Sequence, residues 1–213
     1  MTSQRAHLVF DLDGTISDPA VGIHRSINYA LAHFGFPTID QVTTYIGPPL
    51  DETFAAIIST SSPDRIAELV TKYRERYSET GYAENVLYPG IAEALHNLAR
   101  RNAPLGLCTS KRADFAERIL ELFQIRDYFR FVHGGDVGVR KDQQLASLLA
   151  SGTIASNSLV IGDRDIDVFA ARANGLRSVS VLWGYGTPTE LHAAQPDHIV
   201  QSPEELPSLA DLL

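Results

Sequence analysis

Cysteine and long apolar runs are scarce in this sequence, and each scarcity excludes a class of protein. The 213 residues include one cysteine, Cys108, so no disulfide can form within the chain. A chain without internal disulfides is compatible with a reducing compartment. No run approaches the roughly 20 apolar residues that span a bilayer, and residues 1–7 lack the apolar segment of a signal peptide. We therefore expect a cytoplasmic protein that does not contact a membrane.

Positive charge is also in the minority. The chain has 18 lysines and arginines against 26 acidic residues, which gives a formal net charge of −8. A nucleic-acid-binding surface needs clustered cations that displace the counterions of the phosphates, so we expect no nucleic-acid partner. A small anionic substrate stays compatible with this balance, because one lysine and a metal ion can reverse the sign of the charge within a site.

Six short apolar segments predict buried strands, and helical patterns lie between most of them. The predicted strands cover residues 7–10, 105–109, 131–133, 158–161, 178–182 and 198–200. Strands that alternate with helices imply right-handed crossovers and a parallel sheet with helices on both faces. We therefore predict an α/β fold with a Rossmann-like sheet.

One segment interrupts this alternation. Helical patterns occupy residues 23–34, 50–58 and 65–77, with no convincing strand between them and hinges expected near 17–19 and 86–90. We predict an all-helical domain over residues 18–86, inserted into a core domain formed by residues 1–17 and 87–213.

Polar side chains follow the carboxyl ends of the predicted strands, where open parallel sheets bind their ligands. The residues are Asp11, Asp13, Thr109, Ser110, Lys141, Asp163 and Asp167. Each alone has a simpler interpretation: Asp-Gly is an ordinary turn, a hydroxyl residue often caps a helix, and a loop lysine is usually solvated. Their shared location is what favours a functional site.

The paired aspartates favour a metal ion. Asp11 and Asp13 are two residues apart, so their side chains would point the same way in an extended segment. Two adjacent carboxylates repel each other unless a cation joins them or one is protonated. With Asp163 they form an all-oxygen set, which suits Mg²⁺.

The order and spacing of these motifs resemble the haloacid dehalogenase-like (HAD) hydrolase superfamily, and within it the phosphoglycolate phosphatase-like group. The resemblance covers nearly the whole chain. Its main motifs are Phe10-Asp-Leu-Asp-Gly-Thr15, Cys108-Thr-Ser-Lys111, Lys141 and Gly162-Asp-Arg-Asp-Ile-Asp167.

The resemblance implies a Mg²⁺-dependent phosphatase acting on a small phosphorylated metabolite. Asp11 would be the nucleophile that forms an aspartyl-phosphate, and Asp13 would protonate the leaving alcohol and later activate water. Lys141 would hold the nucleophile and the phosphoryl charge in place. Thr109 and the backbone N–H of Ser110 would bind phosphoryl oxygens. The implied metal-binding residues are Asp11, Asp13 through its backbone carbonyl, Asp163 and Asp167.

The sequence departs from the commonest family pattern after Lys141, where Asp142 replaces a frequent proline. A nucleotidase-like subgroup that shares Thr-Ser-Lys in the second motif tends to lack this proline, so phosphoglycolate and a 5′-nucleotide are both candidate substrates. Lys111 is the alternative for the motif lysine. A sugar-phosphate mutase of the same superfamily is a further alternative, whereas Asp13 counts against a dehalogenase, which typically lacks it.

The inserted helices resemble the C1-type helical cap of this superfamily, which closes over the site and excludes water. Gly47 matches a cap loop that faces the substrate. Four basic cap residues could reach a distal charge of the substrate: His24, Arg25, Lys72 and Arg74. We expect a monomer or a homodimer.

Overall fold

A computed structural model of the protein describes residues 5–59 and 62–213. Residues 1–4, at the start of the predicted core domain, and residues 60–61, within the predicted insertion, lie outside the described part. The strands are β1 (Leu8–Phe10), β2 (Ser17–Asp18), β3 (Val86–Leu87), β4 (Leu105–Thr109), β5 (Phe129–Gly134), β6 (Leu159–Gly162), β7 (Arg177–Val181) and β8 (His198–Val200). The α-helices are α1 (Ala20–His33), α2 (Leu50–Ile58), α3 (Pro63–Glu79), α4 (Ile91–Arg100), α5 (Ala113–Leu122), α6 (Lys141–Ala150), α7 (Asp165–Ala173) and α8 (Pro188–Ala194).

Six parallel strands form the central sheet, in the order β5-β4-β1-β6-β7-β8. Strand β1 shows why the sheet has helices on both faces. Leu8 and Phe10 pack into the cluster that contains residues of α4 and α5, whereas Val9 packs with Leu145 of α6 and residues of α7. Alternate side chains of a strand point to opposite faces, so an uninterrupted apolar strand requires a core on each side. The predicted α/β fold and all six predicted strands are confirmed.

Helices α1, α2 and α3 share a second apolar cluster. It is built from α1 residues such as Ile27 and Leu31, from Phe54 of α2, and from α3 residues such as Leu69. Phe115 of α5 belongs to the same cluster, so the helical segment packs directly on the sheet-and-helix core.

A short strand lies at each of the two expected hinges. Ser17 pairs with Leu87 and Asp18 with Val86, so β2 and β3 form a two-stranded antiparallel ribbon. The sequence did not indicate this ribbon, because a two-residue strand has no measurable periodicity. The ribbon lies where the chain enters and leaves the helical segment, and the division into domains there stays a prediction.

No helix in the described residues has both the length and the apolar character needed to cross a membrane.

Candidate active site

The candidate site lies at the carboxyl end of β1. This strand has β4 on one side and β6 on the other, and the change of direction in strand order opens a crevice there. Asp11 still belongs to the sheet, since its N–H donates to the Ile161 carbonyl at 2.8 Å. The chain then turns at Gly14, whose φ is +86°.

Three of the predicted site residues form a buried acidic triad. Carboxylate oxygens of Asp11, Asp163 and Asp167 lie within 4.8 Å of one another. Lys141 is the first residue of α6; its ammonium group lies 3.0 Å from Asp11 Oδ1 and also pairs with Asp167. Three carboxylates against one ammonium group leave a formal charge of −2. An all-oxygen set of this charge fits a divalent cation.

The protonation behaviour of the triad is consistent with a missing positive charge. Burial, assisted by the charges of Asp167 and Asp11, raises the pKa of Asp163 to about 8. Burial also raises the pKa of Asp11, although Lys141 opposes the shift. Burial alone would lower the pKa of Lys141, but the carboxylates of Asp11 and Asp167 outweigh it and raise that pKa. Burial is the main cause of both raised carboxyl pKa values, and a cation bound between the carboxylates would lower them.

Hydrogen bonds fix the two triad carboxylates that follow β6. The Thr15 hydroxyl donates to Asp163 Oδ1 at 3.2 Å, and the Tyr185 N–H donates to Asp163 Oδ2 at 2.8 Å. Asp167 Oδ2 accepts from the Arg164 N–H at 3.1 Å. Both carboxylates are therefore held in orientation by backbone or hydroxyl donors.

Thr109 and Ser110 lie where predicted, at the end of β4. The Thr109 hydroxyl accepts from the Lys111 N–H at 3.2 Å, and the Thr109 carbonyl accepts from the Gln144 amide at 3.0 Å. Ser110 lines a groove together with Lys141 and the cap-loop residue Pro48. Both residues thus share the strand-end edge with the triad, and phosphate binding by them stays a prediction.

Lys111 does not take the place of Lys141. Its ammonium group lies 2.8 Å from Asp13 Oδ2 and donates to the Tyr77 hydroxyl at 2.9 Å. The carboxylate of Asp13 therefore lies outside the triad. Its Oδ1 atom is buried and has no hydrogen-bond partner among the described residues. Sequence reasoning missed the Lys111–Asp13 pair, although both residues stand in recognised motifs.

A pocket opens between this edge and the helical segment. Its lining includes Asp13, Lys111 and Gly47, so the predicted cap loop does face the site. Gly47 has φ +111°, and Arg164 packs beside it: a Cβ at Gly47 would lie 3.5 Å from Arg164 Cγ. The Arg164 guanidinium donates to the Ile46 carbonyl at 2.7 Å, a contact that the sequence did not indicate.

Of the four basic cap residues, Arg74 lines the pocket and pairs with Asp136 at 2.5 Å. The other three make contacts elsewhere: His24 with the Ile39 carbonyl at 2.8 Å, Arg25 with Glu84 at 2.6 Å, and Lys72 with Glu75 at 2.8 Å. None of these three is among the described residues that line the pocket, and the expectation that they reach a substrate stays a prediction.

Comparison with known proteins gives a consistent family match. The family model of haloacid dehalogenase-like hydrolases matches residues 8–181. A 5′-nucleotidase of Pseudomonas aeruginosa is 38% identical over 198 residues, covering 90% of this chain and 89% of that protein. The tyrosine-protein kinase PtkA of Mycobacterium tuberculosis is 35% identical, covering 90% of this chain and 70% of that protein. A phosphoglycolate phosphatase of Yersinia pestis is 33% identical, covering 97% of this chain and 90% of that protein.

A solved structure agrees with the sequence matches. The crystal structure of a predicted phosphatase from Clostridium acetobutylicum superposes with a TM-score of 0.91 and is 31% identical. The match covers 98% of this chain and 99% of that chain, so the helical segment is included as well as the sheet.

Proposed function

The chain belongs to the haloacid dehalogenase-like hydrolase family, and from this premise we propose that it is a Mg²⁺-dependent phosphatase of small phosphomonoesters. The observation that carries the proposal is the cluster of Asp11, Lys141, Asp163 and Asp167 at one strand-end edge. Its formal charge of −2 and its carboxylate oxygens fit a divalent cation, which would also keep these buried carboxyl groups ionised. The side chains of Asp11, Asp163 and Asp167, with the backbone carbonyl of Asp13, would hold this ion. When bound, Mg²⁺ supplies positive charge that shields the phosphoryl oxygens from the nucleophilic carboxylate.

Asp11 is the proposed nucleophile. Its carboxylate attacks phosphorus while the bond from phosphorus to the ester oxygen breaks, and Asp13 gives its proton to that oxygen. In the second step water attacks the aspartyl-phosphate and Asp13 takes the water's proton, which releases phosphate and restores Asp11. Lys141 neutralises charge on Asp11, and Thr109 with the Ser110 N–H binds phosphoryl oxygens. The helical segment over the pocket limits access of water, and Gly47 gives its loop a conformation that brings the backbone close to the substrate.

A 5′-nucleotide is the substrate class that we would test first. Aromatic rings line the pocket beyond Asp13, namely those of Tyr45, Tyr73, Tyr77 and Phe115. Such rings suit a nucleobase or another flat apolar group that enters the pocket. The 38% identity to a 5′-nucleotidase supports the same choice. Phosphoglycolate is the second candidate, on the identity to phosphoglycolate phosphatases.

The test is phosphate release from a panel of substrates with and without Mg²⁺. The panel contains 5′-nucleotides, phosphoglycolate and sugar phosphates, and the sugar phosphates are also examined for isomerisation. We expect metal-dependent release that is greatest for one class.

Asp11→Asn should reduce release by more than about 1,000-fold, because the nucleophile is lost. Asp114→Asn, which alters an exposed carboxylate paired with Arg112, is the matched control and should keep full activity. Activity retained in folded Asp11→Asn would disprove the nucleophile, and isomerisation without release would identify a mutase.

A further inference from the structure

Lys111 makes three buried contacts that the proposed reaction does not yet use. Its side chain is 7% exposed and that of Asp13 is 11% exposed. The ammonium group lies 2.8 Å from Asp13 Oδ2, donates to the Tyr77 hydroxyl at 2.9 Å, and sits 4.8 Å from the centre of the Tyr77 ring. Burying a lysine this deeply is unfavourable unless its charge is matched, and here Asp13 matches it.

The two oxygens of Asp13 have different surroundings. Oδ2 is held by Lys111, whereas Oδ1 is buried without a hydrogen-bond partner in the described part of the chain. Asp13 also lines the pocket between the core and the helical segment. A carboxyl group held at one oxygen can turn only the other oxygen toward a bound molecule.

Tyr77 connects this arrangement to the helical segment. It belongs to α3, stacks on Tyr73 with ring centres 5.2 Å apart, and meets the Phe115 ring edge-on at 5.1 Å. Tyr77 is therefore fixed by packing, and Lys111 bridges α3 and the loop after β1.

We propose that Lys111 is a positioning residue, which holds Asp13 Oδ2 so that Oδ1 faces the leaving-group oxygen and which, through Tyr77, makes this orientation depend on α3. The inference rests on the proposed phosphatase function. Lys111 transfers no proton itself: Asp13 takes up a proton from solvent before the reaction and passes it to the ester oxygen as the bond from phosphorus to that oxygen breaks, which leaves the Asp13 carboxylate paired with Lys111 again.

The test compares two phosphate esters that differ in their need for a proton. A simple alkyl phosphate requires protonation of its leaving alcohol, whereas 2,4-dinitrophenyl phosphate releases a stable anion. The value of kcat/KM is measured for both, because it includes the steps up to phosphoryl transfer and excludes hydrolysis of the aspartyl-phosphate. We expect Lys111→Met to lower kcat/KM for the alkyl ester about 10- to 100-fold, within the contribution of one positioned proton donor. For the dinitrophenyl ester we expect a loss below about threefold.

A double-variant comparison separates positioning from direct substrate binding. If Lys111 acts through Asp13, adding Lys111→Met to Asp13→Asn should lower kcat/KM for the alkyl ester by less than about threefold further. Tyr77→Phe keeps the ring and removes the hydroxyl, so it should produce a smaller loss with the same leaving-group dependence. This variant also tests the proposal if Lys111→Met does not fold.

Arg118→Met is the matched control. Arg118 is another cation of the core that contacts a tyrosine of the helical segment, lying 3.7 Å from the centre of the Tyr82 ring. The Arg118→Met variant should keep kcat/KM for both esters within about threefold of the unmodified protein, since Arg118 does not contact Asp13. Two results would overturn the positioning role and leave the phosphatase function standing. One is an equal loss of kcat/KM for both esters in Lys111→Met. The other is a double variant with Asp13→Asn whose loss equals the product of the two single losses. An unmodified protein that hydrolyses neither these two esters nor any 5′-nucleotide would overturn the proposed function and this inference with it.

Discussion

At the scale of single residues, two glycines allow the triad carboxylates to meet. A Cβ at Gly14 would lie 2.2 Å from Asp163 Oδ2, and a Cβ at Gly162 would lie 2.1 Å from Asp167 Cγ. No side chain fits at such distances without displacing the carboxylate. The loop after β1 and the end of β6 can therefore approach the triad only where a Cβ is absent.

Gly14→Ala should abolish most activity without preventing folding. Gly14 has φ +86° and Gly175, after α7, has φ +65°, so alanine strains the backbone at both positions by about 1–2 kcal/mol. Only the alanine at position 14 would also displace Asp163, since nothing lies within 4 Å of a Cβ at Gly175. We expect phosphate release to fall by about 100-fold or more in Gly14→Ala, because a displacement of about 1 Å in an active site can cost this much.

Gly175→Ala is the control for backbone strain, and melting temperature is measured beside activity. It should destabilise the protein similarly and retain nearly full activity. Equal activity in the two variants would show that Asp163 tolerates displacement and that the triad geometry is not critical.

The strand-end residues could be predicted from the sequence, whereas their pairings could not. Asp11, Thr109 and Asp163 each end an apolar run, and the carboxyl ends of parallel strands share one edge. The choice of Asp13 as the partner of Lys111 depends on side-chain directions and on Tyr77 of α3. Periodicity contains no information about such contacts between long side chains that are distant in sequence.

At the scale of structural elements, Arg164 links the triad to the cap loop. Its backbone N–H holds Asp167, and its guanidinium donates to the Ile46 carbonyl at 2.7 Å. Glu190 of α8 fixes the guanidinium from the other side at 2.8 Å. The start of α7 and the loop that contains Gly47 are thus coupled through one side chain.

Arg164→Met should lower kcat/KM and have a smaller effect on the free energy of unfolding. Without the contact to Ile46, the loop at Gly47 loses its connection to the core, and we expect kcat/KM to fall about tenfold, the effect of about 1.4 kcal/mol. Arg25→Met is the control, since Arg25 pairs with Glu84 inside the helical segment and its side chain is 61% exposed. Exposed ion pairs contribute little to the stability of a protein, so Arg25→Met should alter neither activity nor melting temperature. If Arg164→Met retained full kcat/KM, the loop would be held by other contacts.

Helices were easier to predict than short strands. The pattern over residues 50–58 matches α2 (Leu50–Ile58), because repeated apolar positions define a buried face. Strand β5 begins at Phe129, two residues before the predicted start at residue 131, because exposed Arg130 interrupts the apolar run. The β2–β3 ribbon is specified by pairing between distant segments, which a local pattern does not reveal.

At the scale of the whole molecule, the acidic site couples stability to pH and to metal. An aspartate in an unfolded chain has a pKa near 4, whereas the pKa of Asp163 in the folded protein is about 8. The folded state therefore retains a proton that the unfolded state has already released, so this group's stabilising contribution is lost as pH rises toward 8. His7, which is buried, and His133, which is partly buried, act in the opposite direction because burial lowers their pKa values. Their effect is largely complete at about pH 7.

Metal-free protein should thus melt at a lower temperature at about pH 8.5 than at about pH 7, and Mg²⁺ should reverse the difference. At 100 times its dissociation constant a ligand adds about 2.7 kcal/mol, which corresponds to about 5–10 °C for a chain of this size. The Mg²⁺-induced shift should be larger at the higher pH, because protons then compete less for the carboxylates. Thermal melting at each pH, with a chelator or with Mg²⁺, measures all four conditions.

Asp163→Asn is the matched variant: it should flatten the metal-free pH dependence and lose most of the Mg²⁺ effect. A metal-free melting temperature that rises from pH 7 to pH 8.5 would contradict the raised pKa of Asp163. An equal Mg²⁺ shift in Asp163→Asn would place the cation outside the triad.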